Sequence, residues 1–299
     1  MSRRSRRDLP VAAAMLAPSL FLMSVFVFYP LGRAVWLGHL RCDAQGRRCR
    51  DVGWGQYSRV FQSREFQNAL GNTFRLALLT VPVGLALGIG LAVLADKHLR
   101  GITVFRTIFS STVATSVAVA SLVWFVLLQP QVGVLPDLLS RWFPVLKQPG
   151  LLNDPGTALP AVAISSIWAG LGFTFIVMTA ALQSIPRELY ESAFVDGAGS
   201  WRRFTNVTLP MLSPTILFVT VVMTTRAFQA YGEIDLLTQG GPNPSRPTET
   251  IPYLIYGRTS FIRNDIGLKS ASAVLLFLIL LVLAFAQFRA LEKRVHYGN

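Results

Sequence analysis

Ser184-Ile-Pro-Arg-Glu-Leu-Tyr-Glu-Ser-Ala-Phe-Val-Asp-Gly-Ala-Gly-Ser-Trp-Arg-Arg-Phe-Thr-Asn-Val-Thr-Leu-Pro210 joins two long uncharged runs, Ala158–Leu182 and Val207–Thr225. Pro186 stands where a helix start tolerates a missing N–H, and Glu188 falls in the first turn, where the helix dipole favours an acid. A short helix can run to Asp196 and stop at Gly197, because glycine takes the left-handed conformation of a C-terminal cap. From Ser200 a second short helix brings Trp201, Phe204 and Val207 close to one face. Pro210 is expected to break that helix before the next apolar run. Two short helices at a fixed bend between apolar runs make a hairpin at a membrane surface, a shape that another protein can grip.

Outward from this hairpin, the 299-residue chain is 52% hydrophobic and 14% charged, against roughly 25% charged for an ordinary soluble domain. Mean hydropathy is +0.46. Six runs are expected to span, at about residues 11–32, 76–95, 107–128, 158–182, 213–231 and 270–288. Each is near the ~20 residues that a helix needs to cross a hydrocarbon core. In the fifth, Pro210 and Pro214 mark an entry, so the helix is read as starting near Ser213 with Arg226 inside it. Lipid cannot satisfy an open sheet edge, so the expected fold is all-α, one membrane domain over residues 1–299 with six transmembrane helices. Gly84 and Gly88 in the second run make a small-xxx-small pattern for close helix approach.

The net charge of +13 suits loops that face anionic membrane lipid. Nucleic acid is excluded as a partner, because no soluble basic region with interleaved aromatics is long enough to form a module. Arg3, Arg4, Arg6 and Arg7 precede the first span, which is too long for a cleaved leader and reads as a retained anchor. Six spans then place both termini in the cytoplasm of a multi-pass cell-membrane protein. Charge counting is otherwise balanced, since the first exterior loop carries Arg41, Arg47, Arg48, Arg50, Arg59 and Arg64.

Catalytic chemistry is lacking. No Gly-Lys of a phosphate-binding loop occurs, no nucleophile elbow, and the three histidines are far apart. No cofactor or metal site is expected. Cys42 and Cys49, with six residues between them in the first exterior loop, are either a disulfide or two free thiols. If ATP drives this protein, another chain must hydrolyse it.

Glu191-Ser192-Ala193, Gly197 and Val207-x-Leu209-Pro210 have the spacing of the EAA loop of ABC importer permeases, with Ser192 for the usual Ala and Val207 for Ile. Leu237-Thr-Gln-Gly-Gly-Pro242 and Thr248-Glu-Thr250 resemble the segment that follows the fifth span in the sugar-uptake, maltose-permease-like branch of that family. Within the branch, Ala181–Arg187, Asp196–Gly199, Arg202-Arg203-Phe204 and the tail Val295-His-Tyr297 are most similar to the first permease of glycerol-3-phosphate or glycerophosphodiester importers.

The resemblance implies a type I ABC importer transmembrane domain. It makes residues 184–213 the cytoplasmic coupling loop, with Glu191, Ser192, Ala193, Asp196, Gly197, Leu209 and Pro210 carrying it. Implied partners are a second homologous permease, two ATPase subunits that bind ATP and Mg²⁺, and an extracytoplasmic solute-binding protein. Implied cargo is a glycerophosphodiester such as glycerophosphocholine, or glycerol-3-phosphate; a neutral di- or oligosaccharide of the maltose or trehalose type is the alternative. Glu191 either pairs with a basic group on the ATPase or steadies the loop through Arg187 or Arg202. Arg226 either contacts cargo phosphate, pairs with Glu233 or Asp235, or snorkels to the interface. Gln229, Tyr231 and Trp168 are softer pathway candidates, with packing as the other role of each. An ion-coupled secondary transporter is disfavoured by the absence of two related halves and of paired intramembrane acids.

Overall fold

The computed structural model describes residues 3–42, 49–97, 101–129, 133, 150–258, 262 and 265–292. The tail 295–297 and the loop arginines 47 and 48 lie outside the described residues. The chain divides into two compact units, residues 1–63 with 261–277, and residues 64–260 with 278–299.

In the first unit, α1 (Arg3–Met23) passes through a π-helical turn (Ser24–Phe28) into α2 (Tyr29–Leu37). Pro30 explains the widened turn. Its ring removes one donor and crowds the carbonyl four residues back, and a π-turn absorbs the mismatch without breaking the helix. The Tyr29 N–H donates five residues back, to the Ser24 carbonyl. A small antiparallel hairpin of β1 (Leu40–Cys42) and β2 (Cys49–Asp51) follows, and Cys42 and Cys49 close it as a disulfide. α3 (Gly55–Gln62) packs Tyr57 beside His39 and Trp54, and the Tyr57 hydroxyl donates to the Val35 carbonyl at 2.8 Å.

In the second unit, α4 (Arg64–Ala95) is unbroken despite Pro82. The Arg106 guanidinium caps its C-terminus, with Nη2 and Nε donating to the Ala95 carbonyl at 2.7 and 3.2 Å. The third apolar run is two helices rather than one. α5 (Ile102–Ser111) and a 3₁₀ turn (Thr112–Ala114) meet α6 (Val117–Leu128) at a bend of 107°. Ser116 starts α6 afresh, its hydroxyl accepting the Val119 N–H at 3.2 Å, the role of an N-cap side chain.

α7 (Ala158–Gln183) packs along α4 over two apolar clusters. The 3₁₀ turn closes on α7 at Gly172, where a Cβ would stand 2.7 Å from the Val113 nitrogen and 3.0 Å from the Phe109 carbonyl oxygen. Those atoms are backbone and cannot swing aside. Gly172→Val should therefore leave little folded protein, since even ordinary overpacking costs ~1–3 kcal/mol; gel-filtration recovery beside wild type checks it, and full recovery would show that the bend yields.

α8 (Arg187–Val195) and α9 (Ser200–Arg203) form the hairpin. A second π-turn (Phe204–Thr208) leads into α10 (Leu209–Met211), then α11 (Ser213–Phe228). Pro210 does not break the helix as its chemistry suggested. The Leu209 N–H donates to the Phe204 carbonyl, the same widened turn as before Pro30, and the chain bends by 66° only after Met211. α12 (Gly232–Leu237), α13 (Ile251–Tyr256) and α14 (Ile266–Glu292) complete the chain. Among the described residues, four helices are long and apolar enough to cross a membrane, or up to six if each bent pair is one span.

Candidate functional site

The hairpin at 184–211 has an anchored side and an open side. Ile185, Tyr190 and Phe204 pack into the core cluster beneath it, and the Tyr190 and Thr208 hydroxyls are hydrogen-bonded at 3.0 Å. Gly197, at φ +75°, closes α8. The Gly197 N–H donates to Phe194 and the Ala198 N–H to Ala193, at 3.0 and 2.9 Å. This pair of bonds is a Schellman cap, which needs a left-handed residue at the Gly197 position. Outward, Phe194 is 67%, Val195 85% and Trp201 75% exposed. Glu191, Ser192 and Asp196 are exposed as well, and Glu191 forms no ion pair with Arg187 or Arg202 among the described residues. Leu209 and Pro210 sit on the widened second helix.

A cavity of about 420 Å³ opens within the same unit, a size that admits a small solute. Thr80 of α4, Val113, Thr115 and Ser121 at the bend and on α6, Ser165, Ser166 and Gly170 of α7, and Met223 and Arg226 of α11 are among its walls, with Gln229 and Glu233 beyond the helix end. Arg226 lies 4.7 Å over the Phe173 ring, a cation–π contact that orients the guanidinium. Neither Glu233 nor Asp235 pairs with it, and Asp235 is instead bridged to Arg258 at 3.1 Å. Arg226 and Gln229 thus line one cavity. Tyr231 and Trp168 are absent from its walls: Tyr231 stacks on Tyr253, and Trp168 meets Trp124 edge to face. The polar wall residues that sequence reasoning missed are Thr80, Thr115, Ser121, Ser165, Ser166 and Glu233. Glu233, seven residues after Arg226, was visible only as a possible salt-bridge partner.

The segment 237–250 is locked by polar bonds. Asn72 Nδ2 donates to the carbonyls of Arg246 and Glu249 at 3.1 and 3.2 Å, Thr238 and Thr248 share a hydroxyl bond at 2.7 Å, and Thr250 donates to Ala230 at 2.8 Å. Arg246 and Glu249 are a buried pair at 3.0 Å. Burial pushes the Glu249 carboxyl up to about 7; Arg246 pulls it down, and Glu65 adds to the rise. A carboxyl raised on folding binds its proton more tightly in the folded state, so its stabilising effect is complete below the ordinary carboxylate pKa and is lost as pH rises through about 7. Melting temperature is expected to fall across that window, and Glu249→Gln to flatten the fall. An unchanged slope in a thermal-shift series would assign the titration elsewhere.

Residues 81–297 match the family described as binding-protein-dependent transport system inner membrane component. The chain belongs to this family, the membrane-spanning permease subunits of ABC importers, whose ATPase is a separate subunit. It is 35% identical over 289 residues to the sn-glycerol-3-phosphate transport system permease protein UgpA of Agrobacterium fabrum, covering 95% of each chain. It is 32% identical over 288 residues to UgpA of Yersinia pseudotuberculosis, again covering 95% of each. Among solved structures it resembles a bacterial ABC transporter involved in the import of the acidic polysaccharide alginate, at 27% identity, TM-score 0.79 and 96% of each chain. The alginate transporter in complex with alginate pentasaccharide-bound periplasmic protein matches at 27% identity and TM-score 0.78, over 95% of this chain and 94% of that one. The fold is that of a type I permease.

Proposed function

We propose that this permease carries phosphate-bearing glycerol cargo, a glycerophosphodiester such as glycerophosphocholine or glycerol-3-phosphate itself. The observation that supports this reading is Arg226, which lines the cavity with no carboxylate paired to it among the described residues. A guanidinium presents paired donors that match phosphate oxygens, and the relatives named UgpA are glycerol-3-phosphate permeases.

Residues 184–213 then form the cytoplasmic coupling loop, with both termini on the same side. The assembly contains a second homologous permease, an extracytoplasmic binding protein and two ATPase subunits, where ATP and Mg²⁺ bind. ATP closes the ATPase pair, the exposed Phe194, Val195 and Trp201 transmit the movement, and the helices rock between inward- and outward-facing states as rigid bodies.

ATP hydrolysis by the complex, purified with its binding protein and reconstituted in lipid, tests the cargo. Stimulation by glycerophosphocholine or glycerol-3-phosphate, and not by maltose or trehalose, is expected. Stimulation by a disaccharide alone would replace the phosphate reading with the neutral-sugar one. Stimulation by an acidic oligosaccharide would keep Arg226 as an anion contact and change its anion from phosphate to carboxylate.

A further inference from the structure

The cavity wall carries a guanidinium and a carboxyl group that are not paired with each other. Glu233 shares its walls with Arg226, yet Arg226 rests on Phe173 and makes no bridge to it. The polar side-chain partner of Glu233 is the Ser166 hydroxyl, which donates to Oε1 at 3.3 Å. The neighbouring acids each have a cation within ion-pair distance, Asp235 with Arg258 and Glu249 with Arg246. Glu233 alone in the segment 229–258 lacks one among the described residues. A carboxylate withdrawn from water without a counter-ion is costly, and on a cavity wall the missing cation can arrive with the cargo. An Arg226–Glu233 bridge would have left a neutral cavity suited to a sugar.

We propose that Glu233 is a specificity-determining residue, selecting phosphodiesters whose esterified alcohol carries an ammonium group over those whose alcohol is neutral. This rests on the cavity being the path of phosphate-bearing cargo. Arg226 takes the phosphate, and Glu233 takes the cation at the other end of the molecule. Selectivity is then a difference between two cargoes that share the phosphate contact, so it can be read as a ratio.

The test is cargo-stimulated ATP hydrolysis by the reconstituted complex, with wild type, Glu233→Gln and Arg226→Gln compared on glycerophosphocholine and glycerophosphoglycerol. The binding protein is the same throughout, so its own preference cancels from the comparison between variants. Glu233→Gln should lower the choline-to-glycerol ratio by about tenfold, the equivalent of one modest contact, while stimulation by glycerophosphoglycerol is kept. Arg226→Gln should weaken both cargoes and leave the ratio unchanged. An unchanged ratio in Glu233→Gln, or a parallel loss of both cargoes, would overturn the assignment even with the phosphate reading intact. A wild type that answers to no phosphate cargo would remove the phosphate reading and this inference together, and that outcome is visible before any variant is made. Gel-filtration elution and melting temperature of Glu233→Gln should match wild type, and a shift in both without a change in ratio would assign Glu233 to packing.

Discussion

Gly197→Val will strip the complex of cargo-stimulated ATP hydrolysis, by tenfold or more, while the permease still folds. At φ +75° the backbone lies where a β-branched side chain is a true outlier, and the left-handed conformation costs an ordinary residue ~1–2 kcal/mol. Relaxing that strain means giving up the Schellman bonds from Gly197 to Phe194 and from Ala198 to Ala193. The bend between α8 and α9 then goes, and with it the fixed relation between Phe194 and Val195 on one helix and Trp201 on the other. Nothing lies within 4 Å of a Cβ at position 197, so the effect is conformational rather than steric. Gly197→Asn, which visits the left-handed region more readily, should keep most of the stimulation. Co-purification of the ATPase and its stimulated rate are the readouts. Full stimulation in Gly197→Val would mean that the hairpin is not the element that couples.

Arg226→Gln is the second large effect. A hydrogen bond to a charged group contributes ~1.5–3 kcal/mol, so cargo affinity should fall roughly tenfold to a hundredfold. Stability should barely change, because the guanidinium is exposed to the cavity and holds no ion pair there. Its one ring contact, with Phe173, is of the kind worth ~0.5–1 kcal/mol at an exposed site. The concentration of glycerol-3-phosphate that gives half-maximal stimulation measures the first quantity, and the melting temperature the second. Equal losses in both would place Arg226 among the packing residues instead.

The apolar runs were legible because lipid imposes a length and a polarity that no loop imitates, and the hairpin because glycine, proline and the small residues at 192–193 each constrain the backbone in a known way. The break inside 107–128 was harder to see. Thr115 and Ser116 are uncharged and scarcely interrupt the run, yet Ser116 is a good cap, and the Gly172 side of α7 leaves room for the bend. Pro210 misled for the opposite reason. Its local chemistry argues for a break, but a helix can widen by one residue and go on. At the cavity, Arg226 stood out as a charge in an apolar run, whereas Glu233 lies just past one, where acids are common and carry no signal. For Tyr231 and Trp168 the sequence left pathway and packing roles open, and the structure places each against another aromatic ring, Tyr253 and Trp124.

The two widened turns also set an angle. Each residue of an α-helix turns the chain by about 100°, so one additional residue in the turn at Phe204–Thr208 shifts the azimuth of everything before it relative to α11. Trp201, 75% exposed, lies on the far side of that turn, so its bearing depends on the added residue as well as on the bend after Met211 and the packing of Tyr190 and Phe204. A relative of the same length between Gly197 and Leu209 but without a proline at 210 would have no reason to widen. It would present a different side chain at the place where Trp201 stands.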